Sequence, residues 1–180
     1  MQQKIVIIGG PGTGKSSVLN ELIFRGYFCM PEISREVTLM AKKKGIDQLF
    51  LTEPLLFSNL LLEGREKQFI EAHKNESDLV FFDRGIPDVH AYLNFLKTDY
   101  PEHFVEKSNQ YLYQNIFMLP PWKEIYTSDN ERYESFEEAV EIHHYLKKAY
   151  QEIGYTIITV PFGTIKERTN FILDSLKSGL

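Results

Sequence analysis

The stretch IVIIGGPGTGKSS, residues 5–17, decides the fold. Its first four residues are apolar and β-branched, which is typical of a strand buried on both faces of a parallel sheet. Four glycines and a proline then occupy positions 9–14, so the strand must end there. The residues from 17 to 25 favour a helix. We therefore predict a strand, a glycine-rich loop and a helix in direct succession.

The loop matches the pattern G-x-x-x-x-G-K-[ST] through Gly9, Gly14, Lys15 and Ser16. Glycines allow successive backbone N–H groups to point into one concavity, and a helix N-terminus adds unpaired donors with a partial positive charge. A turn that binds nothing is the alternative, but the complete motif in its strand-and-helix context favours a phosphate-binding loop. The predicted nucleotide-binding residues are Gly9, Gly10, Pro11, Gly12, Thr13, Gly14, Lys15, Ser16 and Ser17.

Two side chains of this loop carry specific chemistry. Lys15 is predicted to reach the β- and γ-phosphates, and the Ser16 hydroxyl is predicted to bind Mg²⁺. We expect Lys15 to be exposed in the empty concavity and to take no part in packing.

Composition limits the remaining possibilities. A chain of 180 residues is about the size of one domain, so we expect a single nucleotide-binding domain over residues 1–180. The net charge of −5 argues against binding nucleic acid or an anionic membrane through overall charge. Cys29 is the only cysteine, which excludes an intramolecular disulfide and a Cys-based metal site. No apolar run approaches about 18 residues, so we expect a cytoplasmic protein without membrane insertion.

Beyond the first helix, short apolar runs alternate with segments of helical periodicity. Strands are predicted at 27–32, 78–85, 115–120 and 155–161, and helices at 33–44, 54–74, 86–97, 101–112, 135–152 and 164–176. This alternation predicts an α/β fold in which a parallel sheet is covered on both faces. Ligand sites should then lie at the carboxyl ends of the strands.

Charged residues stand at two of those strand ends. Asp83 follows the apolar run LVFF, at the position where phosphate-loop enzymes place a carboxylate that orients Mg²⁺. The alternative is a helix cap for the segment starting at Ile86. Arg84 offers a two-pronged guanidinium for phosphate, or it forms an ordinary surface ion pair. Glu32 closes the second predicted strand.

Taken in order, GGPGTGKSS, PEISRE, FFDRGIPD, FMLPP, DNERYES and GYTIITVPFGTIKERTNFIL resemble a known family. They are similar to the AAA family ATPase-like domain shared by the nicotinamide-riboside kinase portion of NadR and by TRPL-translocation-defect-type proteins. The chain resembles deoxynucleoside and nucleoside monophosphate kinases more distantly. The resemblance covers residues 4–176 and implies a P-loop NTPase fold, a three-layer sandwich with a five-stranded sheet in the order 2-3-1-4-5. It also implies a site for ATP, with GTP as the alternative, and Mg²⁺.

The resemblance also suggests roles around the acceptor. Nucleoside kinases place at the position of Glu32 a carboxylate that takes the proton from the attacking hydroxyl, and their acid-arginine pair resembles Asp83 and Arg84. Arg35 lies three residues after Glu32, so the two share one face if the helix has begun. Glu32, Arg35 and Arg84 are thus the predicted substrate-binding residues. The alternative is that Glu32 simply favours a helix N-terminus and pairs with Arg35.

The segment 121–135 is polar and aromatic without a clear period, and it occupies the position of a kinase lid. Arg132 could swing onto the phosphates once nucleotide is bound. Monophosphate kinase lids usually carry several arginines, so a solvated loop is the alternative. Three aromatic residues of the segment could cover a base or an apolar substrate, namely Trp122, Tyr126 and Tyr133. Arg168 stands where similar folds hold the adenine side, although it also fits a helix surface.

We predict a small-molecule kinase that transfers the γ-phosphate of Mg-ATP to a hydroxyl of a nucleoside-like or ribosyl substrate. Its predicted catalytic residues are Lys15, Glu32, Asp83, Arg84 and Arg132, and its metal ligands are Ser16 and Asp83. The alternative is a switch or trafficking adaptor that binds and hydrolyses ATP or GTP without a small-molecule acceptor. In that case the helix over 55–70 would contact a partner or lipid, whereas in a kinase it would be a core helix.

Overall fold

The structure, a computed structural model, describes residues 2–43, 45–46, 48–126 and 134–178. Strands alternate with helices along the whole described chain. The elements in order are β1 (Gln3–Ile8), α1 (Lys15–Phe24), β2 (Phe28–Met30), α2 (Ile33–Lys43), α3 (Leu49–Thr52), α4 (Pro54–Ala72), β3 (Leu79–Asp83), α5 (Pro87–Phe95), α6 (His103–Gln110), β4 (Asn115–Met118), a 3-10 helix (Lys123–Ile125), α7 (Phe136–Glu152), β5 (Ile157–Thr159) and α8 (Ile165–Ser178). None of the helices within these ranges is long and apolar enough to span a bilayer.

The five strands form one parallel sheet in the order β2-β3-β1-β4-β5, which confirms the predicted order. β1 lies at the centre, where Val6 stands opposite Phe82 of β3 and Ile116 of β4. Ile7 is in register with Asp83, so β1 and β3 end at the same level. The glycine-rich loop and Asp83 therefore emerge side by side at the carboxyl edge of the sheet.

The packing of β1 explains why its sequence has consecutive apolar residues instead of alternating apolar and polar ones. Val6 and Ile8 pack on one face of the sheet with residues of α4, α5 and α7. Ile5 and Ile7 pack on the other face with residues of α1 and α8. All four side chains are fully buried, as expected for a strand covered on both faces. The three-layer arrangement of helices, sheet and helices is the predicted one.

Several boundaries differ from the prediction. α1 begins at Lys15 rather than at residue 17, because Gly14 in the left-handed conformation (φ 80°) ends the loop and the helix follows directly. α3 was not predicted; its Leu49 is buried in an apolar cluster with residues of α2 and α4, which holds this single turn in place. Thr52 ends α3, and α4 begins two residues later at Pro54. The segment 121–135 was predicted as a loop, but residues 123–125 form the 3-10 helix.

α4 and α2 approach each other closely at Gly64. A Cβ atom on Gly64 would lie 2.6 Å from Cγ2 of Ile33, the first residue of α2. Ile33 is itself buried in the cluster between these helices. The absence of a side chain at Gly64 thus lets the start of α2, and with it the end of β2, lie directly against α4.

We predict that Gly64→Ala lowers the free energy of unfolding by about 1–2 kcal/mol, because the overlap with Ile33 outweighs the gain of about 1 kcal/mol in helix propensity. Urea unfolding measures the change. Glu63→Ala is the control, since Glu63 is exposed on the same helix and its substitution should shift stability by about 0.5 kcal/mol or less. A Gly64→Ala variant more stable than the parent would contradict the close approach.

Candidate active site

The glycine-rich loop has the backbone that a phosphate cradle requires. Gly12 and Gly14 both have positive φ angles, 72° and 80°, which residues other than glycine rarely adopt. A Cβ atom on Gly12 would also overlap the ring of Tyr126. α1 starts at the end of the loop, and Gly14 at its N-cap supplies no side-chain hydrogen bond. The first N–H groups of α1 and the helix dipole are thus available to an anion in the loop.

Lys15 lies at the base of this loop, but the expectation that it is exposed is wrong. It is only 8% exposed, and its ammonium group forms an ion pair with the Asp83 carboxylate. Its Nζ atom is also 3.9 Å from Oε2 of Glu32. The cause is the sheet order, because β3 is the neighbour of β1 and delivers Asp83 beside the loop. Lys15 therefore stabilises two carboxylates.

The donor types needed for Mg²⁺ are present at the same edge. Ser16 is exposed in the first turn of α1, as is Ser17, and Asp83 supplies a carboxylate. Within the described ranges no three His, Cys, Asp or Glu side chains form a metal-binding group. Mg²⁺ bound with a nucleotide keeps several waters and needs only one or two protein oxygens. Ser16 and Asp83 fit that requirement, and their role as ligands is a proposal.

Glu32 lies between β2 and α2 at the centre of a cluster of cations. Nε of Arg84 donates to its Oε2 over 2.8 Å, and Nη2 of Arg65 donates to its Oε1 over 3.3 Å. The backbone N–H of Ser34 donates to the same Oε1 over 3.3 Å. Burial alone would raise the pKa of Glu32, but the two arginines, Lys15 and the Ser34 N–H together lower it to about 2. Glu32 is therefore ionised in the folded protein.

Arg65 is a site residue that sequence reasoning missed. It is 3% exposed, and besides its contact with Glu32 it donates from Nη1 to the carbonyl oxygen of Gly85 over 2.6 Å. A signal was available, because Arg65 belongs to the buried stripe of α4, which comprises Ser58, Leu61, Leu62, Arg65, Gln68, Phe69 and Ala72. A charged side chain in the buried stripe of a helix needs a partner of opposite charge.

Arg84 has an unusual backbone conformation. Its φ angle is 70°, in the left-handed region that residues other than glycine seldom occupy. Besides Glu32, its guanidinium contacts Oδ1 of Asp88 over 3.2 Å and lies 5.3 Å from the ring centroid of Tyr92. The side chain is 15% exposed, so these ion pairs are buried rather than on the surface.

Arg35 is not part of this cluster. Arg35 lies on the exposed face of α2, and the arginines that pair with Glu32 are Arg65 and Arg84. The alternative interpretation, in which Glu32 pairs with Arg35, is thus wrong, because Glu32 precedes α2 and turns towards α4 and β3. A role for Arg35 in binding substrate stays a prediction. Arg132 and Tyr133 lie outside the described residues, so their roles stay predictions.

A second group of side chains flanks the loop on the other side. Arg168 of α8 is 2% exposed, not on the helix surface, and a Cβ atom on Gly14 would lie 2.8 Å from its Nη1. Its guanidinium carbon is 5.8 Å from the centroid of the Trp122 ring, which in turn lies 5.0 Å from the ring of Phe162 at a tilt of 31°. The loop thus runs between an aromatic, cationic group and the carboxylate cluster.

The sheet order, the glycine loop and the helix behind it define a P-loop protein with a kinase-like fold. A family model for the AAA domain, AAA_28, matches residues 4–168. The chain therefore belongs to this AAA domain family. A comparison with curated protein sequences finds no match.

Solved structures share the fold at low sequence identity. A deoxyadenosine kinase from M. mycoides, solved with dCMP and a flexible dCDP bound, is 18% identical with a TM-score of 0.72, over 98% of this chain and 100% of that one. NadR in complex with NR is 17% identical with a TM-score of 0.74, and NadR in complex with NAD and AMP-PNP is 17% identical with a TM-score of 0.72. Both matches cover 99% of this chain, which spans 52% and 50% of those NadR chains.

The lowered pKa of Glu32 predicts a specific acid sensitivity. A carboxylate whose pKa is lower in the folded than in the unfolded protein stabilises the fold above its unfolded pKa, near 4.5, and loses that contribution as the pH falls towards 2. Between pH 5 and pH 3 the parent should lose about 2 kcal/mol more stability than Glu32→Gln. Urea unfolding at each pH measures this difference.

Glu63→Gln serves as the control for this measurement, since it neutralises an exposed glutamate on α4. It should follow the parent across the whole pH range. Parallel pH profiles for the parent and Glu32→Gln would contradict a strongly stabilised carboxylate at Glu32.

Proposed function

We propose that this protein is a kinase that transfers the γ-phosphate of Mg-ATP to a hydroxyl group of a nucleoside-like or ribosyl substrate. The observation that carries the proposal is the convergence of Lys15, Asp83, Glu32, Arg84 and Arg65 at the carboxyl edge of the sheet. Cations that can receive a polyphosphate lie next to carboxylates that can hold Mg²⁺ and an acceptor hydroxyl.

In this proposal the loop and α1 bind the phosphates through backbone N–H groups, and Lys15 leaves its carboxylate partners to contact the β- and γ-phosphates. Mg²⁺ would supply positive charge that neutralises part of the charge on the phosphates. Asp83 would orient that ion together with Ser16. Arg84, at the edge of the acceptor side, would stabilise the charge that develops on the transferred phosphoryl group.

Glu32 would accept a hydrogen bond from the acceptor hydroxyl and then its proton. The hydroxyl oxygen forms a bond to the γ-phosphorus while the bond from that phosphorus to the bridging oxygen breaks, which releases ADP. A group with a pKa of about 2 is a weak base. The departure of Lys15 towards the phosphates removes one of its cations and makes it more basic. A loose transition state also places little demand on the base.

The base of the nucleotide would lie against the aromatic and cationic group at the other side of the loop. Trp122 and Phe162 offer ring faces, and Arg168 offers a planar cation that can stack or donate hydrogen bonds. The absence of an N-K-x-D sequence, the pattern that selects guanine, favours ATP over GTP. The fold shared with a deoxyadenosine kinase and with NadR in complex with AMP-PNP is compatible with this assignment.

The direct test is a screen for γ-phosphate transfer from ATP and GTP to nucleosides and ribosyl compounds, with water as the only acceptor in the control. Thermal shift identifies ligands beforehand, because a ligand that binds only the folded state stabilises it by about 2.7 kcal/mol at a hundredfold excess over its Kd. Transfer well above hydrolysis to water supports the kinase. Nucleotide binding without any acceptor would favour the switch or adaptor instead.

Asp83→Asn tests the proposed metal role. The substitution keeps the shape of the side chain and removes its charge, so nucleotide should still bind while Mg²⁺-dependent turnover falls by about 10²-fold or more. Isothermal titration measures binding, and a Mg²⁺ titration of the rate measures turnover. An unchanged dependence of the rate on Mg²⁺ would exclude Asp83 as a group that orients the metal.

Glu32→Gln separates the kinase from the switch. A positioned base contributes about 10²–10⁴ in rate, so transfer to the acceptor should fall by that factor. Nucleotide binding should not weaken, because the substitution removes a carboxylate that lies 3.9 Å from the Lys15 ammonium, and hydrolysis to water should fall much less than transfer. A switch has no acceptor to deprotonate, so nucleotide binding should likewise not weaken, and hydrolysis and partner binding should stay near the parental values. Transfer that is indifferent to Glu32→Gln would remove the base role, and the proton would then go to Asp83 or to the phosphate.

A further inference from the structure

Asp88 is a fully buried carboxylate with no role in the proposed chemistry. Its Oδ1 pairs with Nη1 of Arg84 over 3.2 Å. Its Oδ2 accepts hydrogen bonds from the backbone N–H of Gly85 over 3.0 Å and from the hydroxyl of Tyr150 over 2.6 Å. A buried carboxylate is costly unless its hydrogen bonds are satisfied, and both oxygens of Asp88 have such partners.

Tyr150 comes from a distant part of the chain. It lies in α7, within the apolar cluster that covers this face of the sheet, and it is fully buried. A Cβ atom on Gly85 would overlap its hydroxyl, so glycine at position 85 is what lets the hydroxyl reach Asp88. The negative charge of Asp88 adds to the effect of burial in raising the pKa of Tyr150 far above its usual range. The hydroxyl is thus a permanent donor to Asp88.

A helix cap does not account for these contacts. Asp88 is in the first turn of α5, and a capping carboxylate there needs only a backbone N–H, which Gly85 supplies. Caps are commonly exposed to solvent, and they do not require a tyrosine from another helix. The Oδ1 atom is also directed at Arg84, whose left-handed backbone is unfavourable and persists only where its surroundings fix it.

We propose that Tyr150 and Asp88 are positioning residues that hold the Arg84 guanidinium between Glu32 and the transferred phosphoryl group. Tyr150 fixes Asp88, and Asp88 fixes Arg84, whose Nε then stays directed at Glu32 over 2.8 Å. The inference rests on the proposed kinase function for its effect on the rate, but the restraint on Arg84 itself is a property of the free protein. The two parts can therefore be tested separately.

Tyr150→Phe is the test variant, because it removes the hydroxyl and keeps the ring in the core. Tyr155→Phe is its matched control: this hydroxyl accepts a hydrogen bond from the Tyr113 N–H over 3.0 Å, and its ring lies 5.6 Å from that of Tyr150. Both variants lose one hydroxyl hydrogen bond in the same region. Only Tyr150→Phe loses a contact with Asp88.

The first measurement is NMR of the Arg84 guanidinium in the free protein, assigned by its loss in Arg84→Lys. Tyr150→Phe removes a hydrogen bond to the Asp88 carboxylate. The exchange of the Arg84 guanidinium protons with water should then become about tenfold faster. Tyr155→Phe should leave the exchange at the parental rate. Equal exchange in the parent and Tyr150→Phe would overturn the positioning role, whether or not the protein is a kinase.

The second measurement is the rate of phosphoryl transfer with the acceptor found in the screen. Tyr150→Phe should lower kcat about tenfold with little change in nucleotide Kd, and Tyr155→Phe should leave kcat near the parental value. In an Arg84→Lys background the same Tyr150 substitution should lower kcat by only about twofold or less, since both act through one guanidinium. A structural role alone would be shown if the effects of the Tyr150 and Arg84 substitutions on kcat multiplied. It would also be shown if the two tyrosine variants lost kcat equally.

A parent that transfers phosphate to no acceptor would defeat the proposed function and the predicted effect on kcat. The exchange measurement would then still decide whether Tyr150 and Asp88 restrain Arg84. Conversely, efficient transfer by the parent together with unchanged Arg84 proton exchange in Tyr150→Phe would support the kinase function. The same result would contradict the positioning role of Tyr150 and Asp88.

Discussion

The interaction on which the rest of the site depends is the ion pair between Lys15 and Asp83. The strand order of the sheet brings these two opposite charges together in a place that is largely closed to water. Buried charges are tolerated only when opposite charges lie beside them. Further ion pairs surround this one, so that the site contains three cations and three carboxylates. The cations are Lys15, Arg65 and Arg84, and the carboxylates are Glu32, Asp83 and Asp88. Packing of α4 against α2, and of α7 against α5, supplies the outer members of this balanced set.

A balanced set of this kind has a chemical consequence. The charges hold one another in fixed positions before any ligand arrives, so little reorganisation is needed when a polyphosphate attracts the cations. A polyanion entering at Lys15 necessarily changes the charge felt by Glu32, because both belong to one network. Nucleotide binding and the basicity of the acceptor-side carboxylate are therefore linked through electrostatics.

Local sequence predicted the framework well and the site only in part. The phosphate loop and the carboxylate at the end of β3 follow from short motifs and strand ends, whereas the confirmed sheet order was implied by the family resemblance. The partners of Glu32 could not be predicted in the same way. Arg35 is close in sequence but exposed, whereas Arg65 lies 33 residues away and reaches Glu32 only because α4 packs closely on α2. Tyr150 approaches Asp88 through the fold alone, so no local pattern indicates the contact.

The central position of β1 has a consequence for how the protein is made. Gln3 pairs with Leu79 and Ile5 with Asn115, so both neighbours of β1 are synthesised long after it. At about 5–20 residues per second, the ribosome leaves this strongly apolar strand without its sheet partners for several seconds. Contacts between such distant residues also slow folding, because long loops must close before they form. Nascent chains shorter than about Met118 thus present an unpaired hydrophobic strand, the kind of surface on which chaperones act.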